Sequence, residues 1–235
     1  MIYIIGDRHG EEDGFSDEKL PGQSAWGVDD TVIVTGDFGY VMRGERKNLP
    51  EKNKLDDLSG KPYSILFCDG NHESFDCLEE YPEEILYGAP VRRIRSNIFW
   101  LQRGYIYTIE GKSFFVMGGA YSIDKAFRMR YQAICGEKIW FAQELPNSME
   151  YNRAIDNLKS HDYKVDYIIT HTAPRPMIPR IIGGYPDDHD RELTGFLDWV
   201  YHSVTFSHWF LGHFHVDMQI NEQITVCYQG VHTIG

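Results

Sequence analysis

The sequence has few of the features that mark disulfide-stabilised, membrane-spanning or nucleic-acid-binding proteins. Its four cysteines show no C-x-x-C or other clustered spacing, which favours free thiols in a reducing compartment. No apolar run approaches the roughly 20 residues that cross a bilayer. Lys and Arg number 23 against 35 Asp and Glu, and the net charge of −12 disfavours long nucleic acids and anionic membranes as partners. We therefore expect a soluble, cytoplasmic protein.

The chain also lacks a linker or an internal repeat that would divide it. No stretch rich in Ser, Pro or Gly interrupts it, and hydrophobic residues make up 42% of the 235 residues, which is enough for a sizeable core. Residues 1–5 are apolar, have no basic region before them, and run directly into a polar motif. They predict a strand and not a signal peptide. We expect residues 1–235 to form a single domain.

Short apolar runs predict the strands of an α/β fold. Five runs predict strands that are covered on both faces: Ile2–Ile5, Thr31–Thr35, Ser64–Cys68, Tyr167–Thr170 and Phe206–Leu211. Further strands are predicted at Ile98–Leu101, Tyr105–Glu110, Ser113–Met117, Val216–Ile220 and Gln223–Tyr228. The last four of these pair as two hairpins, so we expect a mixed sheet or two stacked sheets.

Helical periodicity is present in three places, and two other segments show little helical or strand periodicity. Helices are predicted at Pro50–Leu58, Met149–Ser160 and Arg191–Tyr201, with a short one at Ser74–Glu80. Segments 121–147 and 173–189 have little periodicity. Both follow predicted strands that end at the same edge, so we expect them to form walls of a pocket.

Five polar islands each follow one of the five apolar runs. They read GDRHG at Gly6–Gly10, GDFG at Gly36–Gly39, GNHE at Gly70–Glu73, TH at Thr170–His171 and GHFH at Gly212–His215. Strand ends in an α/β sheet converge at one edge, where ligands usually bind. We therefore expect one pocket that holds two Asp, one Asn and up to five His, a donor set suited to two divalent cations.

Each island has an ordinary structural alternative when it is considered alone. Asp7 and His9 could face one ion, or they could cap a helix and pack locally. Asn71 could offer a neutral oxygen ligand or begin an Asx turn, and His171 could be a core histidine. The H-x-H of the last island points two rings to the same side of an extended chain. Five islands in order, each at a strand end, favour the metal site.

The set of islands resembles the calcineurin-like metallophosphoesterases, whose pattern is D-x-H, G-D, G-N-H-[DE], H and G-H-x-H, and the match covers nearly the whole chain. The resemblance implies a four-layer α/β/β/α sandwich of two mixed β-sheets flanked by helices. It implies one metal ion held by Asp7, His9, Asp37 and His215, and a second held by Asp37, Asn71, His171 and His213. Asp37 would bridge them. The ions would be Mn, Fe, Zn, Co or Ni, with Mn favoured.

The same resemblance implies hydrolysis of a phosphate ester. A hydroxide between the two ions would attack phosphorus, Asp37 would hold both ions, and His72 would protonate the leaving oxygen. The expected substrate is a small or nucleotide-like phosphate. Arginines can clamp phosphate oxygens; the candidates are Arg8, Arg43, Arg128 and Arg130. Aromatic residues that could stack on a base, or pack in the core instead, are Tyr121, Trp140 and Phe141.

Two further functions stay open from the sequence. A protein Ser/Thr phosphatase is disfavoured because its G-D-x-V-D-R-G motif is replaced by GDFGYVMRG, which sets Arg43 two positions late, although a protein substrate is still an alternative. An inactive scaffold of the same fold is disfavoured because every ligand position is intact. The stretches that begin at Gly118 and span Trp140–Glu144 are similar to those of small bacterial and phage members of the family.

Overall fold

The computed structural model describes residues 1–44 and 48–235. The strands are β1 Ile2–Ile5, β2 Thr31–Val34, β3 Ser64–Phe67, β4 Glu83–Leu86, β5 Ala89–Arg93, β6 Ile98–Leu101, β7 Tyr105–Ile109, β8 Lys112–Met117, β9 Tyr167–Thr170, β10 His208–Leu211, β11 Met218–Asn221, β12 Ile224–Val226 and β13 His232–Ile234. The α-helices are α1 Leu49–Ser59, α2 Phe75–Leu78, α3 Lys125–Cys135, α4 Ser148–Ser160, α5 Ile178–Ile182 and α6 Arg191–Ser203. Short 3-10 turns lie at Gln23–Ala25, Ala142–Glu144 and Arg175–Met177.

The strands form two mixed sheets. The first sheet has the order β13-β1-β2-β3-β6-β5-β4, and the second has the order β11-β12-β10-β9-β8-β7. Parallel strands lie in the middle of each sheet: β1, β2, β3 and β6 in the first, and β12, β10, β9 and β8 in the second. The predicted hairpins are confirmed as the antiparallel pairs β7–β8 and β11–β12.

Three apolar cores separate four layers. Along β2, Val32 and Val34 contact the core beneath α1, whereas Ile33 between them faces the second sheet, as the period of two in a strand requires. On the far side, Leu158 of α4 and Leu197 of α6 pack with the second sheet. The order is therefore helices, sheet, sheet, helices, which confirms the predicted four-layer sandwich.

Segment 121–147, in which little periodicity was found, contains the eleven-residue helix α3, and its role as a pocket wall stays a prediction. Its apolar side chains are turned outward: Phe127 is 65% exposed and Ile134 is 74% exposed, whereas Arg128 is only 5% exposed. A pattern search assumes that the apolar face of a helix is the buried one, and this helix reverses that relation. Segment 173–189 likewise contains the short helix α5.

Three strands were missed because their sequences are not apolar runs. Strands β4 and β5 carry charged residues that pair across the hairpin, as in the ion pair between Arg93 and Glu84 at 2.6 Å. Strand β13 has only three residues. Among the described residues, no helix is long and apolar enough to span a bilayer. The four cysteines are free, as predicted.

Candidate metal centre

The five polar islands meet at one edge of the sandwich because the parallel strands that precede them all end there. The first sheet contributes Asp7, Asp37 and Asn71, and the second contributes His171, His213 and His215. Asp7, Asp37 and Asn71 are buried, and His171 is fully so. The predicted convergence of these chain segments is what the structure shows.

One half of the site is built by Asp7, His9 and His215. The two Nε2 atoms of the histidines lie 2.8 Å apart. Oδ2 of Asp7 lies 3.2 Å from Nε2 of His215 and 3.7 Å from Nε2 of His9. This oxygen is buried and has no hydrogen-bond partner among the described residues. Three ligand atoms thus converge, and a cation would satisfy the buried oxygen.

The other half is centred on Asp37 and His171. Nδ1 of His171 donates to the carbonyl oxygen of Thr35 at 2.8 Å, which turns Nε2 towards Asp37 Oδ2 at 3.4 Å and Asn71 Oδ1 at 3.2 Å. A hydrogen bond at the second nitrogen is the usual way to orient a ligating histidine. The donor set therefore fits a cation here as well.

In this half of the site, the pKa values of His171 and Asp37 depend strongly on each other. Burial alone would lower the pKa of His171, but the charges of Asp37 and Asp7 raise it to about 10. Burial alone would raise the pKa of Asp37, but the charge and hydrogen bond of His171 hold it below its usual range. The buried carboxylates therefore favour positive charge in the pocket.

The described Asp and His residues form three compact groups, each with ligand atoms within 4.8 Å of one another. They are Asp7 with His9 and His215, His9 with Asp37 and His72, and Asp7 with Asp37 and His171. Both carboxylates belong to two groups, and this is the position expected of residues that lie between two ions. Asp37 was the only bridging residue that the resemblance implied.

His213 lies beside His171, with ring centroids 5.0 Å apart. Its backbone N–H donates to Asp7 Oδ1 at 3.0 Å, so the chain that carries His213 also orients the carboxylate. Burial, followed by repulsion from His171, lowers the pKa of His213 to about 4. A neutral imidazole is the form that ligates metals.

Strained backbone is concentrated at these residues. His9, Asp37, His213 and His215 have φ angles of 47°, 50°, 72° and 49°, in the left-handed region that non-glycine residues rarely adopt. Such strain persists where the surrounding structure enforces it, and it occurs most often at functional sites.

A model of the calcineurin-like phosphoesterase family matches residues 1–217 of the chain. The chain belongs to this family. Its members are hydrolases of phosphoester bonds, and they typically hold two divalent metal ions, which agrees with the two halves of the site described above. A comparison with curated proteins found no significant match.

In this member of the family, the predicted general acid His72 is held by Arg128 of α3. The Arg128 guanidinium donates to Asp124 Oδ2 at 2.8 Å and to the carbonyl oxygen of Asn71 at 3.1 Å, and its Nη2 meets the His72 ring, 2.9 Å from Nδ1 and 2.5 Å from Nε2. The backbone N–H of His72 donates to Asp37 Oδ1 at 2.7 Å. Burial lowers the pKa of His72 to about 4, and attraction to Asp37 opposes this shift. Because a guanidinium only donates, the ring nitrogen that meets Arg128 is an acceptor.

The other predicted substrate residues lie in different surroundings. Arg8 is 2% exposed and donates to the carbonyl oxygen of Tyr228 at 3.2 Å. Arg43 is exposed and forms an ion pair with Glu137. Arg130 is exposed on α3. Binding of substrate by any of these arginines stays a prediction.

The aromatic candidates also differ in their environment. Tyr121 stacks on His189 with centroids 4.7 Å apart, and the Lys125 ammonium lies 4.3 Å from the ring centre of Trp140. Phe141 is buried in the apolar core between the first sheet and the helices that cover it. Stacking of a base on Tyr121 or Trp140 stays a prediction. For Phe141, the structure shows core packing, the second of the two predicted alternatives.

Sequence reasoning missed several residues that support the site. Glu73 is buried and accepts hydrogen bonds from the backbone N–H groups of Phe38 at 2.7 Å and Gly39 at 3.4 Å, so it braces the island that contains Asp37. Its place in the GNHE motif was a usable signal. Ser122 and Glu144, which lie behind Asn71, carried no signal beyond their place in family-like segments.

Proposed function

We propose that this chain is a phosphoester hydrolase that depends on two divalent cations. The cations would be held by Asp7, His9, Asp37, Asn71, His171, His213 and His215. The observation that carries the proposal is the buried Oδ2 atom of Asp7, which has no hydrogen-bond partner among the described residues and faces two imidazole nitrogens. Bound divalent cations would supply an activated water and positive charge for the phosphoryl oxygens.

In this proposal, His72 delivers a proton to the leaving oxygen. Its ring lies at the same edge as the ligand set, with the centroid 4.9 Å from that of His9. The low pKa of His72 makes its protonated form a strong acid. Negative charge on a bound phosphate would raise that pKa and favour the protonated ring. A positioned general acid contributes on the order of 10²–10⁴-fold to rate.

Arg128 is the arginine that we assign to the phosphate. It is 5% exposed, is anchored by Asp124, and already contacts both Asn71 and His72. A guanidinium has five N–H donors, and the contacts above leave some of them available for phosphoryl oxygens. Arg8 and Arg43 are engaged with Tyr228 and Glu137 instead.

The charge of the site suits an anionic substrate although the chain as a whole carries −12. Two divalent cations outweigh the charges of Asp7 and Asp37, so the loaded pocket is positive within an acidic protein. We propose that the substrate is a small or nucleotide-like phosphate ester. In this proposal, neither a membrane nor a long nucleic acid is a binding partner.

The test is a hydrolysis screen of the metal-free protein reloaded with Mn²⁺. The panel contains an aryl phosphate, alkyl phosphomonoesters, cyclic and dinucleotides, and phosphopeptides. We expect hydrolysis of the aryl phosphate that requires Mn²⁺ and is lost in Asp37→Asn. Preference for phosphopeptides would instead indicate a phosphoprotein phosphatase. Tight binding of Mn²⁺ without any hydrolysis would overturn the proposal in favour of a scaffold.

A further inference from the structure

A buried chain of hydrogen bonds runs from Asn71 away from the metal site. Nδ2 of Asn71 donates to Oγ of Ser122 at 3.2 Å. The Ser122 hydroxyl donates to Oε2 of Glu144 at 2.5 Å, and its backbone N–H donates to Oε1 at 3.2 Å. All three residues are buried, with exposures of 8% for Asn71, 1% for Ser122 and 2% for Glu144.

The direction of these bonds follows from the donors available. A hydroxyl has one hydrogen, and a carboxylate only accepts. Glu144 therefore takes the hydrogen of Ser122, and Oγ of Ser122 is left with lone pairs alone. Only the NH₂ side of the Asn71 carboxamide can meet it. The oxygen side must then face the opposite way, where it lies 3.2 Å from Nε2 of His171.

We propose that Glu144, acting through Ser122, is a positioning residue that keeps the carboxamide oxygen of Asn71 turned towards the metal ions. The inference rests on the proposed function, because Asn71 is assigned there as a ligand. The two ends of a carboxamide have nearly the same shape, but only the oxygen binds a cation. Without Ser122 and Glu144, a half-turn of the side chain would present NH₂ to the metal.

A second contact fixes Glu144 relative to the loop that carries Asn71. The Arg103 guanidinium donates through Nε to Asp69 Oδ2 at 2.8 Å and through Nη2 to the carbonyl oxygen of Glu144 at 3.3 Å. Asp69 is two residues before Asn71, so one buried arginine ties both ends of the hydrogen-bond chain together. Among the described residues, the Glu144 carboxylate has no ion-pair partner, and its observed contacts are those to Ser122.

The first experiment titrates metal-free Ser122→Ala and Glu144→Gln proteins with MnCl₂ by isothermal titration calorimetry. We expect one of the two Mn²⁺ sites to weaken by about 10–100-fold, the usual effect of removing a residue that orients a ligand, while the other site changes little. The matched controls are Ser96→Ala and Glu12→Gln, which alter exposed residues of the same types. Wild-type affinity at both sites in Ser122→Ala and Glu144→Gln would overturn the inference.

The second experiment separates positioning from simple structural support. In Asn71→Asp, both side-chain oxygens can bind a cation, so the orientation of the side chain no longer matters. In the wild type, Ser122→Ala is expected to weaken Mn²⁺ binding. In the Asn71→Asp background, we expect Ser122→Ala to leave Mn²⁺ affinity unchanged or to increase it, and a double-mutant cycle measures this difference. An equal cost in both backgrounds would show a structural role and overturn the inference.

Thermal unfolding of the metal-free proteins shows whether each variant folds. If Ser122→Ala does not fold, Glu144→Gln replaces it. The cost of Glu144→Gln in Mn²⁺ affinity is then compared between the wild-type and the Asn71→Asp backgrounds. Failure of the wild type to bind two Mn²⁺ ions would overturn the proposed function, and the inference with it. Two wild-type sites that the variants leave unchanged would overturn the inference alone.

Discussion

The Nε2 atoms of His9 and His215 approach to 2.8 Å although 206 positions separate the two residues in the sequence. Two neutral imidazoles can satisfy such a contact only if one of them carries its hydrogen on Nε2. Asp7 Oδ2 is buried 3.2 Å from Nε2 of His215 and 3.7 Å from Nε2 of His9, and it meets the geometric criteria of a hydrogen bond with neither. A cation held by these three atoms would satisfy all of them.

Metal binding should therefore stabilise the fold measurably. At a Mn²⁺ concentration 100 times the dissociation constant, one site adds about 2.7 kcal/mol, which corresponds to a rise in Tm of roughly 5–10 °C for a chain of this size. Differential scanning fluorimetry with Mn²⁺ and with EDTA measures this rise in Tm. His215→Ala should lose most of the rise, whereas the exposed-residue control His161→Ala should keep it. The same Tm with metal and with chelator would contradict the prediction.

Removing His72 should impair catalysis without removing the metals. We expect His72→Ala to bind Mn²⁺ as the wild type does but to lose about 10²–10⁴-fold in kcat on alkyl phosphates, which need a protonated leaving group. The loss should be much smaller on an aryl phosphate with a good leaving group. Steady-state kinetics on both esters measure it, and equal losses on the two esters would exclude a general-acid role for His72.

Replacing Arg128 by lysine keeps the charge but removes the forked donor. A single ammonium cannot contact Asp124, Asn71, His72 and a phosphate together. We expect Arg128→Lys to lower kcat/KM by about 10–100-fold, as for the loss of one or two hydrogen bonds between charged groups. Arg191→Lys, at an exposed position of α6, is the matched control. Unchanged kcat/KM in Arg128→Lys would mean that the charge alone matters.

Gly212 should tolerate no side chain, because a Cβ there would lie 2.3 Å from Asp7 Oδ1 and 2.8 Å from the carbonyl oxygen of Thr35. We expect Gly212→Ala to displace Asp7 and to abolish the stabilisation by Mn²⁺. In contrast, a Cβ at Gly195 meets nothing within 4 Å, so Gly195→Ala should stabilise α6 by about 0.5–1 kcal/mol. Urea unfolding with and without Mn²⁺ compares them, and a normal metal response in Gly212→Ala would refute the steric argument.

Asp190, just before α6, should make stability depend on pH. Burial, followed by repulsion from Asp187, raises the pKa of Asp190 to about 6. The folded state therefore holds this proton more tightly than the unfolded state, and stability falls as pH rises from about 4 to 6. Asp190→Asn lacks this loss, so above pH 6 it should be the more stable protein, by at most about 3 kcal/mol. Urea unfolding of both proteins in EDTA between pH 4 and 7 checks this; a difference in stability that stays the same from pH 4 to 6 would contradict it.

The sequence predicted the architecture and the convergence of the islands because both depend on short-range patterns. An apolar run that ends in Gly-Asp or Gly-Asn-His identifies the strand and its polar end together, and the parallel arrangement then brings distant ends to one edge. Asp7 and His215 could be assigned to one pocket on this basis, although no local feature links them.

The parts that were missed depend on tertiary contacts that reverse local preferences. Helix α3 exposes Phe127 and Ile134 and buries Arg128, because Asn71 and His72 supply acceptors for the guanidinium. A hydrophobicity pattern cannot indicate that a charged residue is the inward one. Ser122 and Glu144 are polar residues in a segment without periodicity, and only their contacts with Asn71 distinguish them from surface residues.

The two sheets contribute different mixtures of oxygen and nitrogen ligands to the metal centre. Asp7, Asp37 and Asn71 follow strands of the first sheet and offer oxygen, with one nitrogen from His9 beside them, whereas the ligands that follow strands of the second sheet, His171, His213 and His215, offer nitrogen alone. Ions bound by both sets would cross-link the sheets at this edge. Apolar contacts between the sheets have no fixed direction, but coordination bonds do. Any sliding of one sheet over the other would therefore stretch the bonds that hold the ions, so catalytic competence and sheet alignment would be lost together.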